Sequence, residues 1–152
     1  MTYRITGLDP AAFADSESLI ARGAVRLTAD KPDAFPCRVT LEDAAPGEVL
    51  LLINHVSADV PTPFRASHAI FVREGARQAR HYRDEVPPFI VRRAVSLRGF
   101  DGEGMIRAAS LAQPGEAEDK LRDLLGQETI AHVDIHAAAW GCFLARAERD
   151  DG

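Results

Sequence analysis

A chain of 152 residues, with 46% hydrophobic and 27% charged side chains, has the size and composition of one globular domain. Its net charge of −5 gives no general attraction to nucleic acid or anionic lipid. No apolar run approaches the roughly 20 residues of a membrane span, and the amino end does not read as a secretory signal. We therefore expect one domain over residues 1–152, in the cytoplasm, with no nucleic-acid or membrane partner.

The first predicted elements are short. Residues 3–6 alternate like an edge strand. Asp9 and Pro10 have the types expected at the start of a helix, which we place over residues 11–21. Residues 24–28 form the next expected strand.

The strongest core signal is the run of five apolar residues at 49–53, which predicts a central strand covered on both faces. Residues 37–41 alternate at the period of a strand, and Asn54-His55 end the apolar run. Prolines 61 and 63 predict a loop, and the chain re-enters a strand at 68–72.

The second half contains the clearest helix, predicted over residues 115–125 from its apolar stripe. Residues 74–85 are a surface helix or loop, and prolines make residues 86–89 extended. Segments 94–100 and 105–111 flank Asp101-Gly102 as a hairpin, with a helix as the alternative for the second arm because of its alanines. Strands follow at 130–137 and 142–146. We expect an α+β domain with a largely antiparallel sheet and two or three packed helices.

The segment His132-Val133-Asp134-Ile135-His136 puts two imidazoles and a carboxylate on one face of a strand. Two of the three could ligate a metal with a distant residue such as His55 or His68, but the outer pair lies about 13 Å apart, too far for one ion. The alternatives are a polar, partly solvated sheet face and an acid/base face on which Asp134 orients a histidine.

Cys37 and Cys142 are too isolated in sequence for a zinc ribbon or a disulfide scaffold. Both are expected as buried thiols, and a pair of Cys37 with His68 or His132 is the catalytic alternative. Arg38 follows Cys37 directly, yet in a strand the two side chains would face opposite ways.

Seven arginines between positions 73 and 98 are either a solvated face or an anion site. Trp140 is expected as a core or rim anchor, with a stacking platform for bases as the alternative. The sequence lacks the common phosphate-cradling, dinucleotide-binding, serine-hydrolase and zinc-protease motifs, so no cofactor is indicated.

Several short motifs resemble one protein family. They are Pro36-Cys37-Arg38 with Leu41, Gly47-Glu48 before an aliphatic strand, Ala69-Ile70-Phe71-Val72, and Gly141-Cys142-Phe143. Their order is similar to that of a bacterial family known as a domain of unknown function, number twelve hundred and three. The resemblance covers nearly the whole chain and implies a compact domain that stands alone, without an activity to carry over.

That family often has Gly-Pro where His68-Ala69 stand here, and Arg-Asn where His136-Ala137 stand. The resemblance therefore moves the preferred site towards Cys37, Arg38, His132 and Cys142.

The leading hypothesis is a polar pocket that binds a small, anionic molecule near the ends of the central strands. The candidate pocket residues are Cys37, Arg38, His55, His68, His132, Asp134 and Cys142, with His132 and Asp134 as the metal candidates. One alternative is an enzyme with a Cys/His or His/Asp metal centre. The other is an interaction module that forms a homodimer through a sheet edge.

Overall fold

The chain folds into two β-sheets and a few short helices. The computed structural model describes residues 1–151, and in that range the strands are β1 Tyr3–Thr6, β2 Val25–Thr28, β3 Pro36–Cys37, β4 Glu42–Asp43, β5 Val49–Ala58, β6 Ala66–Arg73, β7 His81–Arg83, β8 Val95–Phe100, β9 Ile106–Ala112, β10 His132–Ala137 and β11 Phe143–Arg149. The α-helices are α1 Ser16–Ala21, α2 Pro88–Val91 and α3 Ala117–Leu125, and a 3₁₀ helix spans Pro10–Phe13. None of these helices is long and apolar enough to cross a membrane.

The larger sheet has six strands in the order β7-β1-β11-β10-β8-β9, with every neighbouring pair antiparallel. Helix α3 buries its apolar stripe, including Leu121 and Leu125, on one face of this sheet. Val133 and Ile135 of β10 reach the same core. Because side chains alternate along a strand, the intervening residues of β10 face away from the helix, towards the second sheet.

The smaller sheet has the order β2-β5-β6-β3-β4 and is antiparallel except where β3 meets β6. Strand β5 lies between β2 and β6, and its faces enter two different cores. Leu51 and Ile53 pack in one core, and Leu50 packs in another on the opposite side. The prediction of an internal strand at 49–53 is confirmed, as is the α+β class.

The structure corrects the prediction for residues 37–41. Only Pro36–Cys37 is a strand, and residues 38–41 turn, with Leu41 at a φ of 53°. A leucine in this left-handed region is uncommon, and the local alternation gives no sign of it. The turn matters because it directs Arg38 into the interior.

Other boundaries also differ from expectation. Strand β5 continues through Asn54-His55 to Ala58, and β1 is an internal strand between β7 and β11 rather than an edge. Residues 88–91 form a helical turn instead of an extended segment. The helix expected over 11–21 is divided into the 3₁₀ helix and α1, although Asp9 caps its start by accepting a hydrogen bond from Ala11 N.

The other predicted secondary-structure elements agree with the structure. Segment 74–85 is a loop that contains the short strand β7. Strands β8 and β9 form the expected hairpin, and helix α3 lies within the predicted range.

Candidate functional site

Arg38 is buried between the two sheets, with 1% of its surface exposed. Its Nε donates to the Phe143 carbonyl at 2.7 Å, and its Nη1 donates to the Pro36 carbonyl at 2.5 Å. Its Nη2 donates to Cys142 Sγ at 3.2 Å. The guanidinium therefore ties the end of β3 to the start of β11 and places the Cys142 sulfur beside a cation.

No carboxylate among the described residues forms an ion pair with Arg38, whose assigned acceptors are two carbonyl oxygens and a sulfur. Burial lowers the pKa of Arg38, while the Cys142 and Cys37 sulfurs act to raise it. A guanidinium has five N–H donors, so two remain beyond these three bonds. Arg38 is thus a buried positive charge that lacks a negative partner, which is energetically unfavourable unless an anion lies nearby.

Above Arg38 lies a groove of about 680 Å³. Its walls are mainly apolar and come from the chain before β3, from β5 and β6, and from the turn between β10 and β11. The lining residues include Lys31, Phe35, Arg38, Phe71, Trp140 and Cys142. We call this cavity the Trp140 groove, because Trp140 stands at its rim with 90% of its surface exposed.

The charged residues around the Trp140 groove favour an anion. Arg93 also lines the groove, but its charge is offset by Asp43 at 2.7 Å. Asp33, the groove's carboxylate, is paired with Arg92 at 3.3 Å. In the described part of the chain Lys31 has no ion-pair partner, so it and Arg38 are the charges left uncompensated.

A second group of polar side chains lies where the two sheets meet, and we call it the inter-sheet polar layer: His55, Ser57, His68, His132, Asp134, His136 and Arg146. Asp134 is fully buried and is held by Arg146, with Nε to Oδ1 at 2.7 Å and Nη2 to Oδ2 at 3.2 Å. The same guanidinium donates to the Ser57 carbonyl at 3.1 Å. This ion pair links β11 and β10 to β5.

The histidines of the layer are held neutral at pH 7. Burial is the main cause that lowers the pKa of His55, His68 and His132, and nearby arginines lower it further. The effect is largest for His136, where burial lowers the pKa to about 4. The His136 ring meets the His68 ring at a centroid distance of 4.9 Å, and its Nδ1 lies 2.9 Å from the Gly141 carbonyl.

Two of the three polar residues on this face of β10 are buried, with Asp134 at 0% and His136 at 2% exposure, and only His132 is partly solvated. His132 stacks on Phe100, and its Nε2 lies 3.7 Å from Asp134 Oδ1. Within residues 1–151 no three histidine, cysteine or acidic side chains converge as a metal site. Both oxygens of Asp134 are already bound by Arg146.

The structure separates the predicted pocket residues into groups. Arg38, His68 and Cys142 line the Trp140 groove, whereas His55 lines a different cavity of about 450 Å³ together with His81 and Arg146. Cys37 is fully buried, as expected, and its sulfur accepts hydrogen bonds from the backbone amides of Thr40 and Arg73. The expectation of a buried thiol is wrong for Cys142, which is only partly buried because it lines the groove. In the described structure no hydrogen bond joins Cys37 to His68 or His132.

Sequence reasoning missed Lys31 and Phe35 and left open whether Trp140 was a core or a rim residue. No local signal identifies the first two, because they reach the groove through the course of the loop before β3. The arginines at 73–98 do not form one site. Arg73 binds Glu48, Arg83 binds Asp150, and Arg93 binds Asp43.

Fold and site together define a class: a small two-sheet α+β domain with an open groove over a buried arginine. The family model described as "Protein of unknown function (DUF1203)" matches residues 34–149, about three-quarters of the chain. The chain belongs to this family, and the resemblance drawn from its motifs is confirmed. The matched range contains the Trp140 groove apart from the residues before position 34. No curated protein and no solved structure matches the chain significantly.

Proposed function

We propose that this protein binds a small anionic molecule in the Trp140 groove, in the cytoplasm. The observation that carries the proposal is Arg38, a cation with 1% exposure and no carboxylate partner in residues 1–151. An anion in the groove would supply the missing negative charge in a region of low dielectric, where charge interactions are strong. Lys31 at the groove lining adds a second cation.

The apolar walls define the rest of the ligand. Phe35 and Phe71 pack together at a centroid distance of 5.2 Å on one side, and Trp140 lies on another. Binding sites for small molecules are typically apolar with a few placed polar groups, and an exposed tryptophan offers a flat surface for stacking. The ligand expected is therefore a carboxylate or phosphate with an aromatic or aliphatic body.

The only tryptophan of the chain is Trp140, so intrinsic fluorescence reports directly on the groove. Titration with phenylbutyrate, other arylalkyl carboxylates and aryl phosphates is expected to shift its emission to shorter wavelength as the indole is covered. Matched alcohols and amides that lack the negative charge are expected to bind at least tenfold more weakly. Anions and their neutral analogues binding equally well would contradict the role of Arg38.

Two variants separate the groove from the rest of the surface. Trp140→Phe keeps an aromatic ring, while Trp140→Ala removes it; only the second is expected to weaken anion binding measured by calorimetry. Leu111→Ala is the control, because Leu111 is a large apolar side chain with 55% exposure on β9, in the other sheet. Equal effects of Trp140→Ala and Leu111→Ala would remove Trp140 from the site.

A thiol enzyme is the second candidate, favoured by the contact of Arg38 Nη2 with Cys142 Sγ in the groove wall. His68 lines the same groove, so the Cys/His alternative rests on Cys142 and not on buried Cys37. Alkylation by iodoacetamide, followed by mass spectrometry of each cysteine, tests it. An activated thiol requires Cys142 to react faster than free glutathione, with Cys37 as the internal unreactive control.

A further inference from the structure

Strand β6 has an unoccupied edge inside the Trp140 groove. Strand β3 pairs with β6 at one position, Cys37 with Phe71, and Arg38 N donates to the Phe71 carbonyl at 3.1 Å. The peptide groups of Phe71 therefore point towards β3. Because peptide groups two residues apart on a strand point to the same side, those of Ala69 and Ser67 face the same edge.

No strand covers that edge beyond Phe71. The other neighbour of β6 is β5, on the opposite side, and the described chain contains no hydrogen bond to the outward N–H or C=O of Ser67 or Ala69. Both residues are exposed, and Ala69 lines the groove. Two N–H donors and two C=O acceptors are thus available for an added strand.

We propose that the anion bound in the Trp140 groove is the carboxyl end of an extended peptide, which adds as a strand to β6 beside Ser67 and Ala69. This inference rests on the proposed function, since it uses the same groove and the same cation. Arg38 lies at the Phe71 end of the open edge, so a peptide with its terminal carboxylate there runs parallel to β6, in line with β3. Alternate side chains of the peptide point to opposite faces, and the aromatic rings of Phe71 and Trp140 in the groove lining are available to contact them.

The charge of the groove selects this occupant over a second copy of the chain. Lys31 and Arg38 are its uncompensated cations, and a free terminal carboxylate complements them. The open edge beyond β3 covers only Ser67 to Ala69, a length that fits about three extended residues at 3.3 Å each. The carboxyl end of a peptide, rather than a longer strand from a second copy of the chain, fits this length of open edge.

The test compares four probes by Trp140 fluorescence: acetyl-Ala-Val-Ala-Phe with a free carboxylate, its carboxamide, its backbone N-methylated form, and phenylbutyrate. The free peptide is expected to bind at least tenfold more tightly than its carboxamide and its N-methylated form. Nitrogen-15 NMR is expected to show downfield shifts of the Ser67 and Ala69 amide protons with the free peptide and not with phenylbutyrate.

Ala69→Pro gives the sharpest variant, because it removes an N–H that the sheet does not use, and proline is tolerated at such edge positions. It is expected to weaken peptide binding at least tenfold more than it weakens phenylbutyrate binding. Ala69→Val, which keeps the N–H, is the control and retains peptide binding.

The outcomes distinguish the two proposals. Binding of phenylbutyrate without any preference for the free peptide overturns the peptide inference and leaves the anion groove standing. Absence of binding by all four probes overturns both. If sedimentation shows a dimer that Ala69→Pro dissociates, the edge is occupied by a second copy and the peptide inference is wrong.

Discussion

Protonation of His136 is expected to make the stability of this protein fall as the pH falls below neutral. The imidazole is 2% exposed, and its Nδ1 lies 2.9 Å from the Gly141 carbonyl. Burial lowers its pKa from 6.5 to about 4. Arg98 and His68, which also face the ring, lower the pKa further, whereas Asp134 and the Gly141 carbonyl act to raise it. The contributions that lower the pKa of His136 outweigh those that raise it.

The pKa values of His136 in the unfolded and folded chains determine how the free energy of unfolding changes with pH. Above pH 6.5 the histidine is neutral in both folded and unfolded chains, so its full contribution to stability is present. Between pH 6.5 and about 4 the unfolded chain takes up the proton and the folded chain does not, and the free energy of unfolding falls. A difference of about 2.5 pKa units corresponds to about 3 kcal/mol below pH 4, of which about 2 kcal/mol is already lost at pH 5.

The measurement is urea unfolding of the natural chain and of His136→Gln at half-unit steps from pH 7.5 to 5. The natural chain is expected to lose about 2 kcal/mol more than the variant over this range. The pKa of His55, His68 and His132 is also lowered, but these residues remain in both chains and cancel in the comparison. His81→Gln, which removes an exposed histidine, is the control and should follow the natural chain. A difference between the natural chain and His136→Gln that stays constant with pH would refute the reasoning.

Three further changes are expected to alter stability by distinct mechanisms, each measured by urea unfolding at pH 7.5. Arg146→Met leaves the Asp134 carboxylate buried without its partner and should destabilise by about 3–5 kcal/mol, whereas adding Asp134→Leu should recover most of that loss. Gly7→Ala places a Cβ 2.0 Å from the Val39 carbonyl oxygen and should destabilise by at least about 2 kcal/mol. Leu121→Ala opens a cavity beneath α3 and should lose about 2–5 kcal/mol. The alternative of a homodimer formed through a sheet edge is untested, and sedimentation at two concentrations tests it.

The parts of the fold that could be predicted are those whose pattern is local. The alternation over 130–137 predicted β10 and the residues on its polar face. The apolar stripe over 115–125 predicted α3. Strand β5 was predicted too short because Asn54 and His55 look like the end of a buried run. The strand continues because β11 covers this segment: the ring of His55 lies beside Phe143, and the Ser57 carbonyl accepts a hydrogen bond from Arg146.

The site could be predicted only in part, because its contacts join residues that are far apart in the sequence. Nothing near Arg38 in the sequence indicates that its side chain reaches Cys142 and Phe143, more than 100 positions away. The turn that sends it there depends on Leu41 in a left-handed conformation, which apolar alternation does not encode. Long-range pairing of a polar residue is decided by tertiary packing, and a single sequence carries little information about it.

The two buried charges between the sheets lead to different conclusions because they are compensated differently. Asp134 meets Arg146 through two hydrogen bonds, so that charge is neutralised within the fold and needs no external ligand to explain it. Arg38 is equally buried but meets only neutral carbonyls and a cysteine sulfur, beneath a groove open to solvent. This fold neutralises the buried charge of Asp134 internally but leaves that of Arg38 uncompensated beside a cavity. Such an arrangement is expected of a site that an anion completes.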